Sequence, residues 1–86
     1  MYRVLFSSQV VKDLQKLKSQ NLSKKAKELV EIIKQNPYQT PPPFEKLRGN
    51  LKGFFSRRIN IQHRLIYQVL EDEKIVKVLR LWSHYV

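Results

Sequence analysis

Glu45 is the only acid between Ile32 and Leu70, and six Lys or Arg residues crowd the stretch from Lys46 to Arg64. A carboxylate in so positive a field is kept ionised, which suits it to act as a base. The plainer alternative is a surface ion pair with Lys46 or Arg48, contributing ~0–1 kcal/mol, and on composition alone that alternative is favoured. Arg57, Arg58 and Arg64 come next. In a strand, residues two apart share a face, so Ser56 and Arg58 look one way and Arg57 and Ile59 the other. Arg64 opens the following strand, so two guanidinium groups could meet on one sheet face with no acid nearby in sequence to neutralise them. Guanidinium forks match phosphate oxygens in pairs; blunting an exposed strand edge is an equal reason to place arginines there. His84 and Tyr85 stand at the end of the strongly apolar run from Val76 to Trp82. Histidine is the side chain whose protonation is adjustable near neutral pH. Together these residues supply what metal-free RNA cleavage requires. A base takes the proton of a ribose 2′-OH, arginines stabilise the phosphorane, and an acid protonates the departing 5′-oxygen.

The elements that must position these residues are legible in the pattern. Residues 2–6 are rich in β-formers and read as a short strand. Ser7 and Ser8 sit where a helix cap belongs. Val10, Val11, Leu14 and Leu17 follow at helical spacing, with Lys12, Asp13 and Lys16 assigned to the outer face. Asn21 is placed to cap a second helix with Leu22, Ala26, Leu29, Val30 and Ile33 as its apolar stripe, and Asn36-Pro37 closes it. The proline-rich stretch 39–43 cannot be helix or central strand and is expected to carry Phe44 and Glu45 in an extended loop. Gly49-Asn50 and Gly53 mark turns. The period then changes to two, giving strands over 54–59, 64–70 and 74–85, with Glu71-Asp72-Glu73 as a polar turn. The order β-α-α-β-β-β predicts a two-layer α+β domain spanning residues 1–86, with both helices on one face of a mainly antiparallel sheet.

Composition narrows the classes. Seventeen Lys/Arg against seven Asp/Glu give a net charge of +10. Such a field favours a polyanion: nucleic acid first, an anionic membrane surface second, an acidic protein third. The absence of cysteine excludes disulfides and thiolate metal sites. His63 and His84 are the only histidines and have no acid at ligand spacing, so neither a metal nor another cofactor is expected. No apolar run approaches the ~20 residues of a membrane span, and the N-terminus lacks a signal-like apolar core, so a cytoplasmic protein is expected.

The stretch Phe44-Glu45-Lys46-Leu47-Arg48-Gly49-Asn50-Leu51-Lys52-Gly53-Phe54-Phe55-Ser56-Arg57-Arg58-Ile59, then His63-Arg64-Leu65-Ile66-Tyr67, then His84-Tyr85 resembles the Txe/YoeB branch of the RelE-like toxins. The resemblance covers essentially the whole chain, the helical half matching in layout and charge. It implies a microbial-ribonuclease-like fold and a toxin that cuts mRNA in the ribosomal A site. It implies Glu45 as general base, His84 as general acid, Arg58 and Arg64 as phosphate ligands, and Tyr85 as the residue orienting the scissile nucleotide. Lys46, Arg48, Lys52 and Arg57 are implied contacts to ribosomal or messenger RNA. The implied partners are an antitoxin of the YefM/Phd type, the 70S ribosome with its mRNA, and a second toxin copy; operator DNA would be met only through the antitoxin complex. Val86 follows Tyr85, where well-matched relatives end at or near the tyrosine. A non-catalytic basic module, binding RNA or acting with the antitoxin as a co-repressor, is the competing reading. Retention of Glu45, Arg58, Arg64, His84 and Tyr85 together argues against it, because a module needing only charge could lose the acid and the histidine.

Overall fold

The computed structural model describes residues 1–47 and 53–81. Among these residues two helices pack on a five-stranded mixed sheet, in the order β1 (Arg3–Phe6), α1 (Ser8–Ser19), α2 (Ser23–Gln35), β2 (Glu45–Lys46), β3 (Phe54–Arg58), β4 (Arg64–Leu70) and β5 (Ile75–Arg80). The strands lie as β1-β5-β4-β3-β2. β1 runs parallel to β5, and the other pairs are antiparallel. The two-layer α+β expectation is therefore met, with β2 as an added edge strand where a loop was expected.

Strand alternation sorts the sheet into two faces. Phe55, Leu65, Tyr67, Val76 and Val78 join Val10, Leu17, Ala26, Leu29 and Ile33 in one core. Ser56, Arg58 and Arg64 belong to the opposite parity. β4 has the expected bounds, and the hairpin before it is closed by Asn60, whose Oδ1 accepts from the backbone N–H of Gln62 and His63 at 2.9 and 2.7 Å. Along β5 the register steps by one extra residue between the Tyr67–Val78 and Ile66–Arg80 pairs. A bulge of this kind leaves one residue out of the ladder. Here it is Leu79, whose carbonyl accepts instead from Ser7 Oγ at 2.8 Å.

The helices depart from expectation in three places. Ser7 is the residue before α1, but its hydroxyl is spent on Leu79 and makes no cap bond. Asn21 does not cap α2: it adopts φ 60° and reverses the chain after α1, and α2 begins behind Leu22. Asparagine tolerates that left-handed conformation better than most residues. Asp13 is not on the outer face. It lies three residues after Val10, on the stripe that faces the sheet, and is fully buried, whereas Val11 is 60% exposed. Asp13 accepts from Arg80 Nε and from the backbone N–H of Leu81, both at 2.9 Å, so α1 holds the end of β5.

At the far end of the sheet, Glu71 gathers three donors. Lys74 Nζ donates at 2.7 Å, Tyr38 Oη at 2.8 Å, and Tyr2 Oη to both carboxylate oxygens at 2.8 and 2.9 Å. The Lys74 bond, then those of the two phenols, hold the Glu71 carboxyl at about 2, well below its ordinary 4.5. Burial first, and the carboxylate second, push the Tyr38 phenol up to about 12.

Candidate active site

Glu45 and Arg64 meet at the edge of the sheet. Glu45 stands on β2 directly opposite Ser56 of β3, and Arg58 of β3 stands directly opposite Arg64 of β4. The strand periodicity thus delivers all four to one face. Arg64 Nη1 lies 3.6 Å from Glu45 Oε1, with the arginine side chain 24% exposed and the glutamate 67%. These residues, with Pro43 and Phe44, line a cleft of about 230 Å³.

Two like charges directly opposite across an antiparallel pair repel each other. Arg58 and Arg64 are such a pair, and among the described residues Glu45 is the only carboxylate lining the cleft with them. An arrangement that is unfavourable on its own becomes favourable once an anion sits between the guanidinium groups. The Ser56 hydroxyl is buried on the same face and, among the described residues, has no hydrogen-bond partner.

Arg57 is elsewhere, and this corrects the expectation that it contacts RNA. Its alternation with Arg58 turns it inward, where it is 1% exposed. Its guanidinium donates to the carbonyls of Pro42, Gln39 and Pro37 at 2.7, 2.9 and 3.1 Å, and its Nε donates to Tyr67 Oη at 3.1 Å. Tyr67 Oη donates in turn to the Pro37 carbonyl at 2.8 Å. Burial raises the Tyr67 phenol despite the nearby guanidinium, so it stays a donor at neutral pH. With four hydrogen bonds made inward and its surface covered, Arg57 is not available to an external phosphate.

Lys46 alternates with Glu45, pairs with Phe55 and is exposed, so it lies beside the cleft and not in it. Arg48, Lys52, His84 and Tyr85, and the turn expected at Gly49-Asn50, fall outside the described residues. Gly53 has φ +88°, a left-handed turn that favours glycine. Sequence reasoning missed Ser56, Pro43 and Phe44 as cleft walls, and the interior role of Arg57. The signal for the last was present: a proline-rich segment carries carbonyls without matching N–H groups and needs donors from elsewhere.

Residues 6–85 match the family described as the YoeB-like toxin of bacterial type II toxin–antitoxin systems. Toxin YoeB of Escherichia coli (strain K12) is 39% identical over 62 residues, which is 72% of this chain and 71% of that protein. The heterotetrameric YoeB–YefM toxin–antitoxin complex from Staphylococcus aureus contains a chain that superposes with a TM-score of 0.79 at 33% identity, covering 99% of each chain. The YoeB dimer from the same organism superposes at 0.78 with 34% identity, covering 98% of each.

Proposed function

The chain belongs to the YoeB-like toxins of bacterial type II toxin–antitoxin systems, and from that premise we propose that it is an endoribonuclease that cuts mRNA in the ribosomal A site and so stops translation. The observation that carries the reading is the Glu45–Arg64 contact at 3.6 Å in a cleft that also holds Arg58. A ribose 2′-OH and its 3′-phosphate are neighbours on one nucleotide. A base for the first and a cation for the second must therefore be neighbours too, and Glu45 and Arg64 are.

In this mechanism the scissile phosphate takes Arg64 and Arg58. The Glu45–Arg64 contact is long, at 3.6 Å, and its carboxylate is two-thirds exposed, so it contributes only ~0–1 kcal/mol and substrate displaces it at little cost. The freed carboxylate accepts the 2′-OH proton, the 2′-oxygen attacks phosphorus, and the arginines hold the charge that grows on the phosphorane. His84 protonates the leaving 5′-oxygen and Tyr85 orients the nucleotide, roles that rest on the motif resemblance. The reaction uses no metal and leaves a 2′,3′-cyclic phosphate and a 5′-hydroxyl. Lys46, Arg48 and Lys52 add contacts to ribosomal RNA. The proposed partners are a YefM-type antitoxin, as in the Staphylococcus aureus complex, and a second copy of the chain, as in the dimer from that organism. The proposed setting is the cytoplasm, where ribosomes are; among the described residues no helix is long and apolar enough to cross a membrane.

Single-turnover cleavage on programmed ribosomes tests this. Glu45→Gln removes the base while leaving every positive charge in place, so the rate should fall by roughly 10²–10⁴-fold with ribosome affinity nearly unchanged. Arg64→Ala should cost at least as much, because its charge is used most fully at the phosphorane. Products should be unchanged by a chelator at a level that leaves ribosomes intact. A 5′-phosphate on the downstream fragment would make water the nucleophile and remove the role given to Glu45.

A further inference from the structure

We propose that Arg57 is a positioning residue for Glu45: from inside the domain it clamps the proline-rich approach to β2 and thereby fixes where the carboxylate stands. The inference rests on the reading of Glu45 as the base.

The segment from Pro37 to Pro43 contains four prolines, so four of its residues have no N–H to offer a ladder or a turn. The strand it feeds, β2, is two residues long and lies at the sheet edge. Neither feature can hold Glu45 firmly. Arg57 supplies what is missing. Three carbonyls spread over residues 37–42 converge on its one guanidinium at 2.7–3.1 Å. The last of them, that of Pro42, is three residues before Glu45. The Phe44 ring, next to Glu45, lies under the guanidinium with its centroid 5.1 Å from Cζ. Cation–π attraction adds to the grip. Arg57 is also the neighbour of Ser56, the residue Glu45 pairs with. One side chain therefore holds the segment leading into Glu45, and the strand that bears it pairs with Glu45 itself.

The cost of this arrangement argues for a purpose. Arg57 is fully buried, its hydrogen-bond partners are carbonyls and a phenol, and among the described residues no carboxylate pairs with it. A buried cation without a counter-charge is expensive, and a well-packed apolar residue is often no worse for stability. What an apolar residue could not do is gather three carbonyls of a loop and set its exit. Adjacent arginines on β3 thus divide the work: Arg58 faces the cleft, and Arg57 holds the platform of its carboxylate.

The test is a double-mutant cycle in the full-length toxin, read by single-turnover cleavage on programmed ribosomes. Arg57→Met should lower the cleavage rate on the order of 10–100-fold, since a displacement near 1 Å can cost about 10²-fold. Ribosome affinity should change little. In a Glu45→Gln background the same substitution should change the residual rate by less than about threefold, because a carboxylate that is absent cannot be misplaced. Arg57→Lys, which can reach part of the carbonyl set, should recover part of the rate only when Glu45 is present. Tyr67→Phe is the second variant should Arg57→Met fail to fold: it deletes the hydroxyl joining Arg57 to the Pro37 carbonyl and keeps the ring. It should show the same dependence on Glu45 with a smaller loss. Equal losses with and without Glu45 would overturn the positioning role and leave the function standing. A Glu45→Gln protein cutting at the parental rate would instead overturn the base assignment, and the inference with it. Unfolding of both Arg57→Met and Tyr67→Phe also counts against the proposal, since the arginine would then be holding the domain and not the loop.

Discussion

Replacing Asp13 with alanine should destabilise the domain far more than a helix aspartate normally would. Asp13 is fully buried and accepts from the Leu81 N–H at 2.9 Å, from Arg80 Nε at 2.9 Å and Nη2 at 3.4 Å, and from Gln9 Nε2 at 3.2 Å. Three effects combine. The buried Leu81 N–H loses its acceptor, which costs ~1–3 kcal/mol. The Arg80 side chain is 41% exposed, so its ion pair adds ~1 kcal/mol or less after screening. Removal of a buried charge returns part of its desolvation cost. The net loss is about 2–3 kcal/mol, and at ~4–8 °C per kcal/mol for a domain of this size Tm should fall by roughly 10–20 °C. Asp13→Asn keeps an acceptor for Leu81 and should lose about half as much. Thermal unfolding followed by far-UV circular dichroism measures both. A Tm for Asp13→Ala within about 3 °C of the parent would mean that Leu81 is satisfied elsewhere and that α1 does not anchor the end of β5.

Acid should release the Glu71 cluster. Its carboxyl titrates at about 2 in the fold against an ordinary 4.5. A depressed folded value stabilises above the ordinary one, and that contribution disappears as pH falls toward 2. Urea unfolding of parent and Glu71→Gln should therefore show a gap at pH 6 that closes by about pH 2; a gap independent of pH would refute the assignment. Ribosome binding should weaken steeply with salt, with a log–log slope of roughly −0.7 to −0.9 per phosphate contacted. Affinity that stays flat from low to physiological salt would rule out the arginine face as the docking surface.

The sequence was most legible where periodicity and parity govern. Arg64–Leu70 has the expected bounds because a run rich in β-forming residues begins after a tight turn, and parity alone put Ser56 and Arg58 on one face. The end of α2 at Asn36 follows from the proline behind it. Legibility failed where a polar side chain serves the interior. Asp13 and Arg57 read as solvent-facing by type, yet each satisfies backbone groups that have no ladder partner, at Leu81 and along residues 37–42. Which N–H or carbonyl is left over is a property of the assembled sheet, and residue type does not disclose it. The same holds for β2, whose two residues become a strand only because β3 offers an edge. Of the last strand, expected over 74–85, β5 covers Ile75–Arg80, and residues 82–85 lie outside the described residues.

The sidedness of the charge also comes from placement. Of the acids, Asp13 is buried against Arg80, and Glu28 and Glu31 are exposed on α2, across the sheet from the cleft. Glu71, Asp72 and Glu73 follow the C-terminal end of β4, whereas Arg64 begins it. Seven residues at ~3.3 Å each put that turn about 20 Å from the cleft. The Debye length is ~8 Å at physiological ionic strength, so those carboxylates scarcely reduce the field between Arg58 and Arg64. Glu45 is left as the one Asp or Glu there, 3.6 Å from a guanidinium that, in the proposed reaction, the phosphate would claim. Composition supplies the excess of cations, but strand order removes the acids from one face. The single acid that remains stands at the cleft edge, three residues after a carbonyl bound by the interior Arg57, beside the groups proposed to receive a phosphodiester.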